Sequence, residues 1–541
     1  MRTSSLFAFR LWPAMLLAAL AATAAGADSP PAARAASPWW AHVERLAADE
    51  FQGRLTGSEG YTRAAAYVAD KFHGYGLAPA GEHGYFQSVA YVVQVVHPER
   101  SKVTLLRGTE PIALDVGDDL VLSANALQPP VTQGPLVFAG YGIHMPEAGY
   151  DDFRDLPIEG AIVVILIGGP AALTGPQRAY GLAETLPRAL EQGGAAGLVA
   201  LINPKAQEIP WSRVRAASTQ PGMMLEEPEL RRFRKPLLAM SFNPLVAESL
   251  FVASGHTFAE LVKLADVHKP LPHFALNAAL EAHVAASTTH VSADNIVAEM
   301  PGSDAQLAAE AVVLSAHLDH LGTGPPDRGD GMYRGAMDNA SGVASLLEIA
   351  RLLHERGQRP RRSLLFLSVA GEEKGLLGSR YFAAHPTRHA GAIVADINMD
   401  CFLPLYPMTR LIGYGLEESS LGDDARAVAG RLGLQMFADA DPDEVAFVRS
   451  DQYSFIRRGI PAFMPDIAPR PGSAEMKISN DWYVQRYHAE ADDQHQPVDV
   501  AAAAAYDDYI MALALRVADA AHRPEWHRSS FFARFQHSPL P

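Results

Sequence analysis

Apolar and polar positions alternate in two regimes along this chain. From Trp39 to Ala48 the spacing predicts a helix, and a second helix opens at Ser58 or Glu59 with Ala64, Tyr67, Val68 and Phe72 on one face. A glycine-punctuated loop, Phe51 to Ser58, separates them, and Gly76-Leu77-Ala78-Pro79 ends the second. From Tyr85 to Leu122 the runs become short and β-rich, as in Tyr91-Val92-Val93-Gln94-Val95-Val96. After Leu127-Gln128-Pro129-Pro130 the character changes again. Gly134 to Ile143 predicts a strand running into glycines and Ala161 to Ile167 a buried strand. A helix closes at Gln192, and the next strand reaches Ile202. This predicts a compact α/β unit over 125–278, without His and carboxylates at metal-ligand spacing.

Beyond His283 strands and helices alternate regularly. Asn295–Met300, Ala311–Ala316, Ser363–Val369 and Ala392–Asp400 predict strands. Val343, Leu346, Leu347, Ala350 and Leu353 form a helical stripe after Asp338. Gly375 to Ala384 and Val500 to Ala521 predict further helices. Such alternation implies an α/β fold: a mostly parallel central sheet with helices on both faces, plus the smaller inserted unit. The expected division is 1–27 as a leader, 28–124 as the opening part of the main domain, 125–278 as the insert, 279–522 as the main domain proper, and 523–541 as a peripheral tail.

Composition narrows the picture. A chain of 541 residues exceeds one ordinary core. With 48% hydrophobic and 20% charged residues it reads as globular, and a net charge of −16 argues against nucleic acid as a partner. Arg2, Arg10, the apolar run Leu11 to Ala22 and the small residues Ala25-Gly26-Ala27 predict a secretory signal peptide, with the mature chain starting near Asp28. The rival reading is an uncleaved anchor, for which the run is short. The expectation is therefore an exported protein, bacterial periplasmic or secreted, without a stable membrane anchor after cleavage. Cys401 is the single cysteine, so no intramolecular disulfide forms and stability rests on packing and metal.

The candidate chemistry gathers at strand ends, where open α/β sheets collect ligands. His317 and Asp319 follow one strand, Glu372 and Glu373 another, and Asp400 ends a third. Asp338 heads a helix, and His488 comes later in Tyr487-His488-Ala489-Glu490. Each has a plainer explanation: His317 as a satisfied polar residue at a strand end, Asp338 as a helix cap, Glu372-Glu373-Lys374 as a solvated turn, Asp400 as a solvated strand end, His488 as one of twenty histidines. Five such coincidences in order favour one metal site. Imidazole and carboxylate suit Zn2+, with Mn2+ or Co2+ as substitutes. Two metals need a bridging carboxylate, for which Asp338 is the natural choice. Of two adjacent acids, one can bind metal while the other takes a proton from water.

Together, His317-x-Asp319-His320-x-Gly322, Gly335-Ala336-x-Asp338-Asn339-x-Ser341-Gly342, Gly371-Glu372-Glu373-x-Gly375-Leu376-x-Gly378-Ser379, Asn398-x-Asp400 and Tyr487-His488 resemble the co-catalytic dizinc aminopeptidase family, which includes glutamate carboxypeptidase II. The 125–278 unit resembles a protease-associated domain inserted in such enzymes. The resemblance implies two zinc ions per chain: His317 and Asp400 on one, Glu373 and His488 on the other, Asp338 bridging. It implies Glu372 as general base and acid, Asp319 orienting His317, and Tyr487 steadying an oxyanion. Ser450-Asp451-Gln452 stands where many members read Ser-Asp-His, and the usual Thr-Pro after the last histidine is missing. The implied substrates are peptides with a free N-terminus. A carboxypeptidase or dipeptidase would share the metals and add a basic pocket, for which Arg449, Arg457, Arg458 and Arg470 are candidates. A glutaminyl cyclase-like transferase would keep many of these residues and use one zinc. A non-catalytic receptor-like protein would have lost ligands, and none is lost here.

Overall fold

The computed structural model describes residues 28–540 apart from 109, 206–209, 327–328, 390, 441, 443–444 and 538. The expected signal peptide lies outside the described residues. Ten strands build the larger sheet: β1 Ala78–Pro79, β2 Phe86–Val96, β3 Gly222–Leu225, β4 Ala286–Met300, β5 Ala311–His317, β6 Ser363–Val369, β7 Ile393–Asn398, β8 Arg410–Tyr414, β9 Gln435–Ala438 and β10 Ala462–Ile467. They lie in the order β3-β2-β4-β6-β5-β7-β10-β8-β9, with β1 beside β4. The block β6-β5-β7-β10 is parallel. Its flanking pairs, β4 with β6 and β8 with β10, are antiparallel. The alternation read from the sequence thus describes the centre of the sheet, which antiparallel pairs flank on both sides.

Every residue of β5 and β6 is buried, which explains their continuous apolar runs. Val312 and Leu314 enter one core and Ala311 and Val313 the other, as the two-residue period of a strand requires. The first core is roofed by α1 (Pro38–Leu46), α2 (Glu59–Gly74), α3 (Ser341–Glu355) and α6 (Val500–Asp519). The second lies under α4 (Leu377–Ala384) and α5 (Gln452–Ile456). Ser58 caps α2 by accepting from the Tyr61 N–H. No described helix is long and apolar enough to cross a membrane.

A second sheet of eight strands has its own cores. Its order is Glu110–Leu114, Lys102–Arg107, His273–His283, Val131–Ala139, Ile162–Leu166, Gly197–Leu201, Leu238–Phe242 and Leu120–Leu122. The chain from 102 to 283 supplies it, so strands on both sides of the expected 125–278 limits take part. One segment inside those limits, β3, leaves this sheet to pair with β2 of the larger one. A long ribbon of β2 against β4, from Ala286 opposite Val96 to Ile296 opposite Phe86, connects the two parts. The C-terminal segment, expected as a peripheral tail, runs along the surface and sends a few aromatic side chains into the core. Phe532 and Phe535 are each 2% exposed, and Tyr180 of the second sheet's unit packs against Phe531 and Phe535 at 5.6 and 5.7 Å. Its aromatic residues supply the apolar area that a polar tail would lack.

Candidate metal centre

The loops after β5, β6 and β7 meet at one edge of the parallel block. His317 closes β5, Glu372 and Glu373 follow β6, and Asp400 follows β7. Asp338 arrives on the loop before α3. Its main-chain N–H and that of Met337 donate to the buried Asp492 carboxylate at 2.9–3.2 Å. Asn339 ties the same loop down by donating to the Met399 carbonyl at 2.9 Å. Gly335 permits the turn: its φ is +56°, and a Cβ there would meet the Asp338 carbonyl and the His320 ring. Beneath these loops lies Arg54, fully buried. Its guanidinium donates to the carbonyls of Leu46, Leu318, Arg334 and Gly335 at 2.6–2.8 Å. Burial lowers its pKa to about 10, opposed by Asp492, Asp319, Asp338 and Glu373.

Two triads of ligand atoms result. His317 Nε2 lies 3.2 Å from Asp338 Oδ1 and 3.1 Å from Asp400 Oδ1. His488 Nε2 lies 3.1 Å from Asp338 Oδ2 and 3.3 Å from Glu373 Oε2. A tetrahedral ion with ligand bonds of about 2.0–2.1 Å has ligand–ligand edges of about 3.3 Å. The spacing therefore fits Zn2+, and each oxygen of Asp338 belongs to one triad. His320 also stands close, with Nδ1 2.8 Å from Glu373 Oε1 and 4.0 Å from Asp338 Oδ2. The first distance is a hydrogen bond and the second exceeds a coordination edge. His320, Asp338 and Glu373 form a second candidate metal group, and the half-exposed His488 reaches the same two carboxylates.

Electrostatics follow from this crowding. Against burial, the His317 and His488 hydrogen bonds hold the Asp338 carboxyl well below its usual range. Despite burial, Asp400, Glu372 and Asp338 push His317 well up. His488 rises to about 9 because Asp338 and Glu373 outweigh its burial. Both imidazoles thus sit among carboxylates. Glu372 behaves oppositely: burial, helped by Asp400, Asp451 and Glu373, raises its carboxyl well above the usual range, with His317 opposing.

The remaining expected residues are placed as follows. Asp319 is fully buried, but its main-chain carbonyl, at 3.1 Å, is what faces His317 Nδ1; its carboxylate stands 3.9 Å away. That carboxylate accepts from the Glu372 N–H at 3.1 Å, so it anchors the Glu372 loop instead. The Tyr487 ring stacks on His488, with centroids 4.0 Å apart. Ser450, given no role by the sequence, donates to Asp400 Oδ2 at 2.6 Å and accepts from Asn398 at 2.9 Å. Its place in the Ser-Asp-Gln run was the available signal. His320 stood inside a recognisable motif and Arg54 only inside a glycine-punctuated loop, and only the fold shows what they touch.

Fold and site together bring the ends of the central strands of an α/β sheet onto clusters of His and carboxylate side chains that share Asp338. Residues 295–514 match Peptidase family M28. A probable zinc metalloprotease of Leptosphaeria maculans is 34% identical over 110 residues, covering 20% of this chain and 24% of that protein. Carboxypeptidase Q of Xenopus laevis is 32% identical over 123 residues, 22% of this chain and 24% of its own. These matches thus span about a quarter of the curated relatives' length. Among solved structures, an aminopeptidase from Aneurinibacillus sp. strain AM-1 superimposes with a TM-score of 0.52 at 18% identity, covering 89% of this chain and 93% of that one. That likeness shows a shared fold.

Proposed function

We propose that the protein is an exported zinc-dependent aminopeptidase that removes N-terminal residues from peptides by a two-metal, Glu-base mechanism. The observation that carries this reading is the pair of triads joined by Asp338 at coordination spacing. His317, Asp338 and Asp400 would hold one ion, and Asp338, Glu373 and His488 the other. Bound divalent ions supply Lewis acidity toward a peptide carbonyl and lower the pKa of water. Glu372 takes a proton from the attacking water as its oxygen bonds to the carbonyl carbon. When the C–N bond breaks, Glu372 returns that proton to the leaving amine. The raised affinity of Glu372 for a proton suits both transfers. Asp319 fixes the Glu372 loop through its main-chain N–H. Tyr487, stacked on His488, is assigned to the oxyanion side of the cleft.

A carboxypeptidase is the second reading, favoured by the similarity to carboxypeptidase Q and by one cation. Of the four candidate arginines, Arg457 pairs with Glu184, Arg458 donates to the Leu540 carbonyl, and Arg470 lies 3.6 Å from Glu475. Arg449 is exposed and directly precedes Ser450, the partner of Asp400. Aminoacyl-p-nitroanilides, N-blocked peptides and C-amidated peptides separate the two readings. Turnover of free-amine substrates only, abolished by chelator and restored by zinc, is the expected result. Preferential cleavage of N-blocked peptides with a free carboxylate would select the carboxypeptidase, and failure of every peptide with zinc present would remove both.

A further inference from the structure

The unit built on the second sheet reaches the metal centre through one short helix. Its stretch 181–185 carries Glu184, 9% exposed. Glu184 Oε2 accepts from Arg457 Nη2 at 3.0 Å, its Oε1 lies 3.0 Å from Arg457 Nε, and the Tyr453 hydroxyl donates to Oε1 at 3.4 Å. Tyr453 lies within α5 and Arg457 directly follows it. At the other end of α5, Asn398 donates to Ser450 Oγ at 2.9 Å and to Gln452 Oε1 at 2.8 Å, and Ser450 donates to Asp400 at 2.6 Å. The Ser454 hydroxyl meets that of Ser379 on α4 at 2.8 Å. With five residues, α5 spans about 7.5 Å and is far too short to be stable alone. Phe455 and Ile456 seat it in the second core, and its two ends are gripped by polar contacts as well. One end is gripped by a metal-ligating carboxylate and the other by the inserted unit.

We infer that Glu184 is a positioning residue for the His317–Asp400 half of the metal centre, acting through Arg457, Tyr453 and the helix that presents Ser450. This rests on the reading of Asp400 as a metal ligand. A buried ion pair contributes little net stability compared with apolar residues of the same size, but it fixes one geometry. Here that geometry is the placement of the hydroxyl that orients Asp400 Oδ1 toward His317. The inserted unit thereby holds the centre in register, in addition to standing beside it. A second contact across the same junction, Arg534 to Glu147 at 3.4 Å, is exposed and does not touch α5, so it serves as a control.

The test is zinc affinity by chelator competition on the full chain, with kcat and KM measured alongside. Glu184→Gln is expected to weaken one of two zinc sites about tenfold to a hundredfold, leave the other unchanged, and lower kcat with KM nearly constant. Glu147→Ala should change neither site. If Glu184→Gln does not fold, the paired change Glu184→Met with Arg457→Met fills the same space without charge, and the same single-site loss is expected. Wild-type affinity at both sites in these variants would overturn the inference, as would equal weakening of both sites shared with Glu147→Ala. Wild-type protein binding fewer than two zinc ions would instead remove the two-metal reading, and the inference with it.

Discussion

Glu372 shares a buried pocket of charge with Asp400, Asp451 and Glu373, and that crowding makes it the proton carrier of the proposed reaction. Glu372→Gln keeps the shape and removes the base. It should leave two zinc ions bound, as measured by metal content, and lower kcat about 10²–10⁴-fold. His320 acts one step away, through its 2.8 Å bond to Glu373. His320→Ala should weaken zinc at the Glu373–His488 triad about tenfold to a hundredfold in chelator competition, and His320→Asn, whose amide can replace Nδ1, should recover most of it. The residues that lie at strand ends were legible in the sequence, because a buried strand announces itself as an apolar run and the next polar residue falls at its tip. His317, Glu372 and Asp400 were readable for that reason. Ser450 and Arg54 were not, since a hydroxyl or a guanidinium facing main-chain carbonyls leaves no periodic trace.

Between elements, polar groups do work that periodicity cannot reveal. His42 of α1 bonds both Tyr67 of α2 and Tyr75 at the end of that helix, at 2.6 and 3.0 Å. Burial, then Lys71 and Arg351, lower its pKa from 6.5 to about 4. Between those values the unfolded chain binds a proton that the folded chain refuses. Stability from this pair of helices is thus present above pH 6.5 and is lost as pH falls toward 4, by roughly 3 kcal/mol at most. In urea unfolding at pH 7 and pH 4.5, His42→Asn should show a clearly smaller acid loss than the wild-type protein. The helices themselves were predicted from their apolar stripes. The edge strand β3 was not, because it sits in the middle of the inserted segment and pairs far from its sequence neighbours. Short strands of that kind carry too few residues for a period to be counted.

For the molecule as a whole, the C-terminal segment is a strap across the junction of the two sheets. Trp526, Phe532 and Phe535, at 7%, 2% and 2% exposed, enter the second core of the larger sheet. Their burial contributes about 1.5–3 kcal/mol each. A chain ending at Ala520 should therefore lose at least about 5 °C in apparent Tm by scanning calorimetry. It should also be nicked faster by protease between 170 and 200, where Tyr180 loses Phe531 and Phe535. The ribbon of β2 and β4 has a consequence for synthesis. β2 leaves the ribosome long before β4, with the entire second sheet made in between. During that interval only β3 is available to it, along residues 91–94 on one edge. The other edge stays open, and an open apolar edge on a nascent chain invites pairing with its neighbours on the polysome. All eight strands of the second sheet are thus synthesised before the strand that covers that open edge.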